Sequence, residues 1–227
     1  MVLMTLEQSQ SFLAVAQHLH FTPVADALYI SQPAMGTQLT SLQTERLLIR
    51  DLIESDWEAV HSYASDPQVT HYMPWEPHSC EQTTNFIQKA LAMQQEQPRQ
   101  NFELAVVLKA QEQLIGVCGF RVSDLYNQQG WIGYCFNRHF WGQGYATEAA
   151  IALLALGFGQ LSLHRIIATC DPANVASMRV LEKIGMYCEG HLRENKWVKG
   201  KWRDTLLYAI VESEWKLKAK QKNNSKP

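Results

Sequence analysis

Along residues 6–19, Leu6, Phe12, Leu13, Val15, Ala16 and Leu19 recur at helical spacing. In "FTPVADALY", Thr22 suits a helix cap and Pro23 the first helical position, and Ser31 caps a third short segment with Pro33 in its first turn. From Arg46 the period changes. "RLLIRDL" predicts a strand, "ESDWEAVHSYASD" a helix with Asp56 near its start, and "CEQTTNFIQKALAMQQEQ" a longer helix. "FELAVVLKA" and "QLIGVCGFRVS" predict two apolar strands about a polar turn at 111–113, and "GWIGYCFN" a further strand. That strand runs into "RHFWGQGYATEAAIALLALGFG", a glycine turn opening a helix that is apolar nearly all round and so predicted to be buried. "HRIIATC" predicts a strand. "NVASMRVLEKIG" predicts a helix with Val175, Met178, Leu181 and Ile184 on one face, and "ENKWVKGKWRDTLLYAIV" a hairpin turning near Gly200. "KLKAKQKNNSKP" (216–227) is polar without an apolar period and predicts a frayed tail. The expected units are 1–43, 44–213 and 214–227. Within the second, the order is strand, two helices, three strands, helix, strand, helix, two strands.

Composition narrows the classes. Of 227 residues, 46% are hydrophobic and 19% charged, a balance that supports a packed core rather than disorder. No apolar run reaches the roughly 20 residues of a membrane helix. "MVLMTLEQSQ" lacks the basic start of a secretory leader, so a cytoplasmic location is expected. Cys80, Cys118, Cys135, Cys170 and Cys188 form no C-x-x-C pair, which predicts free thiols in a reducing compartment and no metal site. The net charge of −2 gives no global basic field. Residues 1–44 contain Glu7 and Asp26 but no Lys or Arg. That bears on "FTPVADALYISQPAMGTQL", which resembles the helix-turn-helix of LysR-type regulators over about residues 4–43. The resemblance stops before that family's wing and long dimerisation helix, and Gly36-Thr37 stand where it usually shows Ser-Arg. DNA affinity comes largely from Lys and Arg on phosphates, so the segment is expected not to bind DNA. It reads as a helical appendage or a fused leader, with Met35 an alternative start.

Candidate chemistry gathers at "NRHFWGQGYATEAA" (137–150). Two glycines at a strand-to-helix turn free the backbone N–H groups of Gly142, Gln143, Gly144, Tyr145 and Ala146, with the positive end of a helix dipole behind them. This is a pyrophosphate cradle. A dinucleotide site of the Rossmann kind fits less well, because the third small residue is missing and three consecutive strands precede the turn. Asn174 and Ser177, three apart at a helix start, share a face; a helix cap and a small contact residue are the structural alternatives. In "HYMPWEPHSC", Tyr72 and Trp75 suit either one wall of a substrate groove or a clamp between helices. His71, His78 and His139 are alternative candidates for a base, histidine being a residue type suited to proton transfer, with a structural role in the loops as the other reading. Cys170, without a His partner at a telling spacing, reads as core packing.

"TERLLIRDL", "YMPWEP", "FWGQGYATEAA", "DPANVASMRVLEKIGM" and "GKWRDTLLYA" occur in order, and over about Leu42–Val211 the chain resembles the RimJ/RimL-type branch of the GNAT N-acetyltransferases. His139 stands where the turn usually opens with Arg or Gln. The resemblance implies an α/β (α+β) GNAT fold, with a mixed, mostly antiparallel sheet splayed between its fourth and fifth strands and flanked by helices. It implies acetyl-CoA as co-substrate, held by the turn, by backbone groups at Cys135 and Phe136, and by Asn174. It also implies Ser177 as proton donor to the thiolate, since Leu181 occupies the position where other branches place a Tyr, and a carboxylate near Glu194 as base. The implied acceptor is the α-amine of a protein such as a ribosomal protein. A small amine, amino acid or aminoglycoside is the alternative, and a DNA-binding regulator using the domain as a ligand sensor is the alternative of another class. Monomer and homodimer both remain open.

Overall fold

The computed structural model describes residues 41–224. The three predicted N-terminal helices fall on residues 1–40, outside the described residues. The strands are β1 (Leu42–Gln43), β2 (Leu47–Asp51), β3 (Asn101–Leu108), β4 (Gln113–Asp124), β5 (Gln129–Phe136), β6 (Arg165–Cys170), β7 (Tyr187–Val198) and β8 (Lys201–Val211). The helices are α1 (Trp57–Ala64), α2 (Pro67–Thr70), α3 (Cys80–Met93), α4 (Tyr145–Ala155), α5 (Val175–Lys183) and α6 (Glu212–Asn224). The predicted order is therefore present from residue 47, with β1, the single turn α2 and α6 in addition.

Local chemistry sets the helix starts. Ser79 accepts from the Gln82 amide while the Gln82 side chain accepts from the Ser79 amide, a reciprocal cap for α3. Asp66 caps α2, which has Pro67 in its first position. Asp56, just before α1, takes both guanidinium nitrogens of Arg50 at 2.8 Å and ties β2 to the helix.

One sheet carries all eight strands in the order β1-β2-β3-β4-β5-β6-β8-β7, and only the β5–β6 pair is parallel. Alternation along the strands gives the sheet two buried faces. Phe102, Leu104, Ile115, Phe120 and Ile132 face the apolar α4, where Ala149, Ala150, Leu153 and Leu154 are buried. Ala105, Val107 and Val117 face α1 and α3 and meet Val60, Tyr63, Ile87 and Ala90. The five cysteines are free. Among the described residues, no helix is long and apolar enough to cross a membrane.

Of the predicted face of α5, Leu181 and Ile184 are buried and Met178 packs against the core, while Val175, at the first helical position, is 50% exposed. One expectation is corrected. The expected frayed tail is helical as far as Asn224. Glu214 accepts from the Val211 amide at 2.9 Å, Trp215 stacks on Phe158 at 6.1 Å, and Lys218 donates to the Gly185 carbonyl at 3.0 Å. The last two are anchors to distant residues, which a local period does not reveal.

β4 and β5 approach closely at Gly116. A Cβ there would sit 2.5 Å from the Cys135 carbonyl oxygen and 3.0 Å from Phe136 Cα, both backbone atoms that cannot swing aside. Gly116→Ala is therefore expected to destabilise the fold by about 1–3 kcal/mol, read as a lower denaturation midpoint; an unchanged midpoint would contradict the register.

Candidate active site

The β5–β6 pairing lasts only from Gln129–Trp131 against Arg165–Ile167; beyond it the strands part. The ladder alternation fixes which backbone groups face the gap. At one end of β5 the Gln128 carbonyl accepts from the His164 and Arg165 amides, so it points to β6. At the other the Asn137 amide donates to the Ile115 carbonyl, so it points to β4. Even-numbered residues between them thus turn their N–H and C=O groups to β6. Tyr134 and Phe136 offer theirs to the opening. The Cys135 backbone faces β4 instead, which corrects the expectation for that residue. The Phe136 carbonyl takes the Trp141 indole N–H at 2.8 Å, leaving its amide and both backbone groups of Tyr134 toward the gap.

The glycine turn follows. Gly142 and Gly144 have φ of +75° and +82°, conformations natural to glycine alone. They curl the chain into α4 so that the amides of Gln143, Gly144, Tyr145 and Ala146 gather at its N-terminus, where a helix leaves them without an internal partner. Gly142, Gln143 and Gly144 are exposed. A clamp from the start of the domain holds this turn. Arg46 reaches Glu148 at 2.7 Å and the Gln143 carbonyl at 3.0 Å, and its guanidinium lies 4.5 Å over the Tyr145 ring. Thr44 and the Arg46 amide both donate to the same Glu148 oxygen. Burial would raise the Glu148 carboxyl, but the hydrogen bonds from Thr44 and from the Arg46 amide and side chain hold it below the usual glutamate value.

Across the gap stands α5. Asn174 Oδ1 accepts from the Ser177 amide at 3.1 Å, so Asn174 is the helix cap. Ser177 Oγ lies 3.1 Å from the hydroxyl of Tyr134, and the two side chains bridge β5 to α5. Burial raises the Tyr134 hydroxyl above its usual value although the Ser177 hydrogen bond opposes this, so the pair is neutral at physiological pH. Cys170, at the end of β6, is buried and pushed up to about 11 by that burial, the state of a packed thiol rather than a nucleophile.

The other predicted residues lie on the α1–α3 side or farther off. Trp75 is half-buried against the second cluster and rests on His78 at 4.5 Å; Tyr72 is 38% exposed, edge-on to His71. Lys199, at the β7–β8 turn, donates to the Thr70 carbonyl at 2.8 Å, so the hairpin tip closes over this loop. His78 has its Nδ1 buried without a partner, and burial, with His61 nearby, lowers its affinity for a proton. His139 is exposed in the single turn after β5. Glu194 sits in a bulge of the edge strand β7, with φ of +47° and its amide bound to Asp204 at 2.8 Å. Among the described residues, its carboxylate makes no contact with the Tyr134–Ser177 pair. Tyr134, the Arg46–Glu148 clamp and Glu103 were not singled out in the sequence.

The pattern described as the acetyltransferase (GNAT) domain matches residues 46–187, and that of the bacterial regulatory helix-turn-helix protein, lysR family, matches residues 6–51. The second match thus ends inside β2. An uncharacterised N-acetyltransferase of Bacillus subtilis, YnaD, is 38% identical over 77% of this chain and 98% of its own. A solved acetyltransferase of the GNAT family from Bacillus anthracis is 40% identical, with a TM-score of 0.69, over 77% of this chain and 99% of its own. The Escherichia coli [ribosomal protein uS5]-alanine N-acetyltransferase is 28% identical over 77% of this chain and 92% of its own. A spermidine N-acetyltransferase from Vibrio cholerae, solved with CoA and spermine, is 21% identical and shares the fold at a TM-score of 0.66 over 76% and 99%. The chain belongs to the GNAT family, and it is an N-acetyltransferase of that family.

The sign of the Glu148 effect is fixed by its depressed pKa. Its contribution is fully present above the ordinary glutamate value and is lost as pH falls through the lower folded value. Glu148→Gln is expected to cost about 1–3 kcal/mol at neutral pH and to flatten the acid limb of the stability profile. Thermal unfolding of both proteins from pH 7 to pH 3 checks this; parallel curves would remove Glu148 from the account.

Proposed function

We propose that this enzyme transfers the acetyl group of acetyl-CoA to the α-amine of a protein N-terminus, with ribosomal proteins as the target class. The observation that carries the transfer step is the Tyr134–Ser177 hydroxyl pair beside the parted strands β5 and β6. The turn at 142–146 receives the pyrophosphate through amides and the helix dipole. The pantetheine arm lies in the gap on the backbone groups of Tyr134 and Phe136, and an amide there steadies the oxyanion. Ser177, backed by Tyr134, gives its proton to the departing thiolate. Asn174 fixes the start of α5 and leaves its side-chain amide for the cofactor. Tyr72 and Trp75 form one wall of the acceptor groove.

The protein N-terminus is favoured over a small amine because the uS5-alanine N-acetyltransferase is 28% identical over 92% of its length, whereas the spermidine N-acetyltransferase, at 21%, shows a shared fold alone. CoA-thiol release with acetyl-CoA is expected on peptides with Ala, Ser or Met N-termini and not on spermidine, amino acids or aminoglycosides. Turnover confined to small amines would replace the acceptor. Ser177→Ala is expected to lower kcat about 10²-fold with acetyl-CoA affinity unchanged, and Tyr134→Phe to lower it less. Full activity in both variants would refute the proton-donor role.

A further inference from the structure

Glu103 lies in the middle of β3, between the buried Phe102 and Leu104. Those neighbours face α4, so alternation turns Glu103 to the α1–α3 side. Opposite it in the sheet stands Gly119, and beyond that Gly133 on β5, the strand that borders the gap. The two glycines leave the sheet bare on this face. A Cβ on Gly119 would lie 3.2 and 3.3 Å from the two Glu103 carboxylate oxygens, so the carboxylate is laid across that glycine toward β5. The indole of Trp131 covers the Cβ position of Gly133 from the same side. The titratable or charged groups within electrostatic reach of Glu103 are Tyr63 from α1 and Cys118 and Arg121 from β4. Arg121 is engaged by Asn101 at 3.0 Å, and among the described residues no hydrogen bond or ion pair reaches the Glu103 carboxylate.

Glu103 is half-buried, and a partly desolvated carboxylate gains from a cationic partner. A carboxylate with an indole close by is the chemistry that receives an ammonium group. Burial pushes the Glu103 carboxyl up to about 7 against the opposing influence of Arg121, which suits proton exchange with an amine near neutral pH.

From this juxtaposition we infer that Glu103, with Trp131 beside it over the Gly119–Gly133 floor, receives the acceptor's primary ammonium group and takes its proton before acetyl transfer. This rests on the proposed function and names its base. The ammonium gives one proton to the Glu103 carboxylate, which passes it to solvent. The freed lone pair forms the C–N bond, and the C–S bond breaks with its electron pair on sulfur. A hydroxyl of the Tyr134–Ser177 pair protonates the thiolate and is restored by the second proton leaving nitrogen.

The test measures acetyl transfer to an alanine-terminated tetrapeptide and to spermidine between pH 6 and pH 10, with acetyl-CoA affinity measured separately. In the wild type, kcat/KM for the accepted amine should fall as pH drops below about 7. Glu103→Gln should lower it about ten-fold for the alanine peptide near pH 7, the neutral fraction of an α-amine, and move the limb up to the amine's own titration. Its activity should approach wild type at the alkaline end, where the amine is already neutral, and acetyl-CoA affinity should be unchanged. Gly119→Ala keeps the carboxylate but displaces it, and should raise KM for the amine about ten-fold. A Glu103→Gln profile parallel to wild type, or a Gly119→Ala enzyme with unchanged KM, would overturn the assignment while leaving the acetyltransferase reading intact. A wild type that binds acetyl-CoA but transfers to neither amine would overturn both.

Discussion

The parting of β5 from β6 is the constraint on which the rest of the structure depends. A parallel pair that stops after three registered positions leaves strand backbone without its ladder inside a covered sheet. Such groups must be satisfied, and here a cofactor arm can do so. The parting also explains why the neighbouring elements are built as they are. Trp141 ties off the Phe136 carbonyl, Tyr134 reaches across to Ser177, and the chain leaves β5 directly into the glycine turn. One strand thus supplies the backbone facing the gap, the Tyr134 side of the hydroxyl pair and the entry to the glycine turn.

The two faces of the sheet divide the chemistry. On the α4 side lie the helix N-terminus and the start of α5, the proposed cofactor side. On the α1–α3 side lie Glu103 and Trp131 over a glycine floor, with Trp75 packed against the second cluster and Lys199 fastening the end of α2 to the hairpin tip. In the proposed mechanism the gap joins the faces, and an acetyl group from one side meets an amine from the other. The Arg46–Glu148 clamp acts at a distance of about a hundred residues in sequence, holding the cradle to β2 and so to the sheet.

Much of the fold was legible because periodicity is local. The changes from alternating to helical spacing placed nearly every element from Leu47 to Val211, and the glycine turn announced itself by its two glycines. What escaped depended on partners far along the chain. Glu103, in "FELAVVLKA", looks like the outward residue of an alternating strand, and only coverage of both faces by helices makes it a half-buried group. Tyr134 reads as ordinary strand packing until Ser177 arrives from 43 residues away. Arg46 and Glu148 gave no local signal, and the C-terminal helix is fixed by Trp215 on Phe158 rather than by its own pattern. The Cys135 expectation failed for a finer reason: register, which a one-residue shift inverts, decides which backbone faces the gap.

Residue-resolved amide protection on titration with acetyl-CoA tests the central claim most directly. The account predicts that the amides of Tyr134, Phe136 and Gln143–Ala146 shift and become protected together, while the Cys135 amide, already bonded toward β4, changes little. Protection of Cys135 with Tyr134 and Phe136 unaffected, or saturable acetyl-CoA binding that leaves all of these amides unchanged, would contradict it.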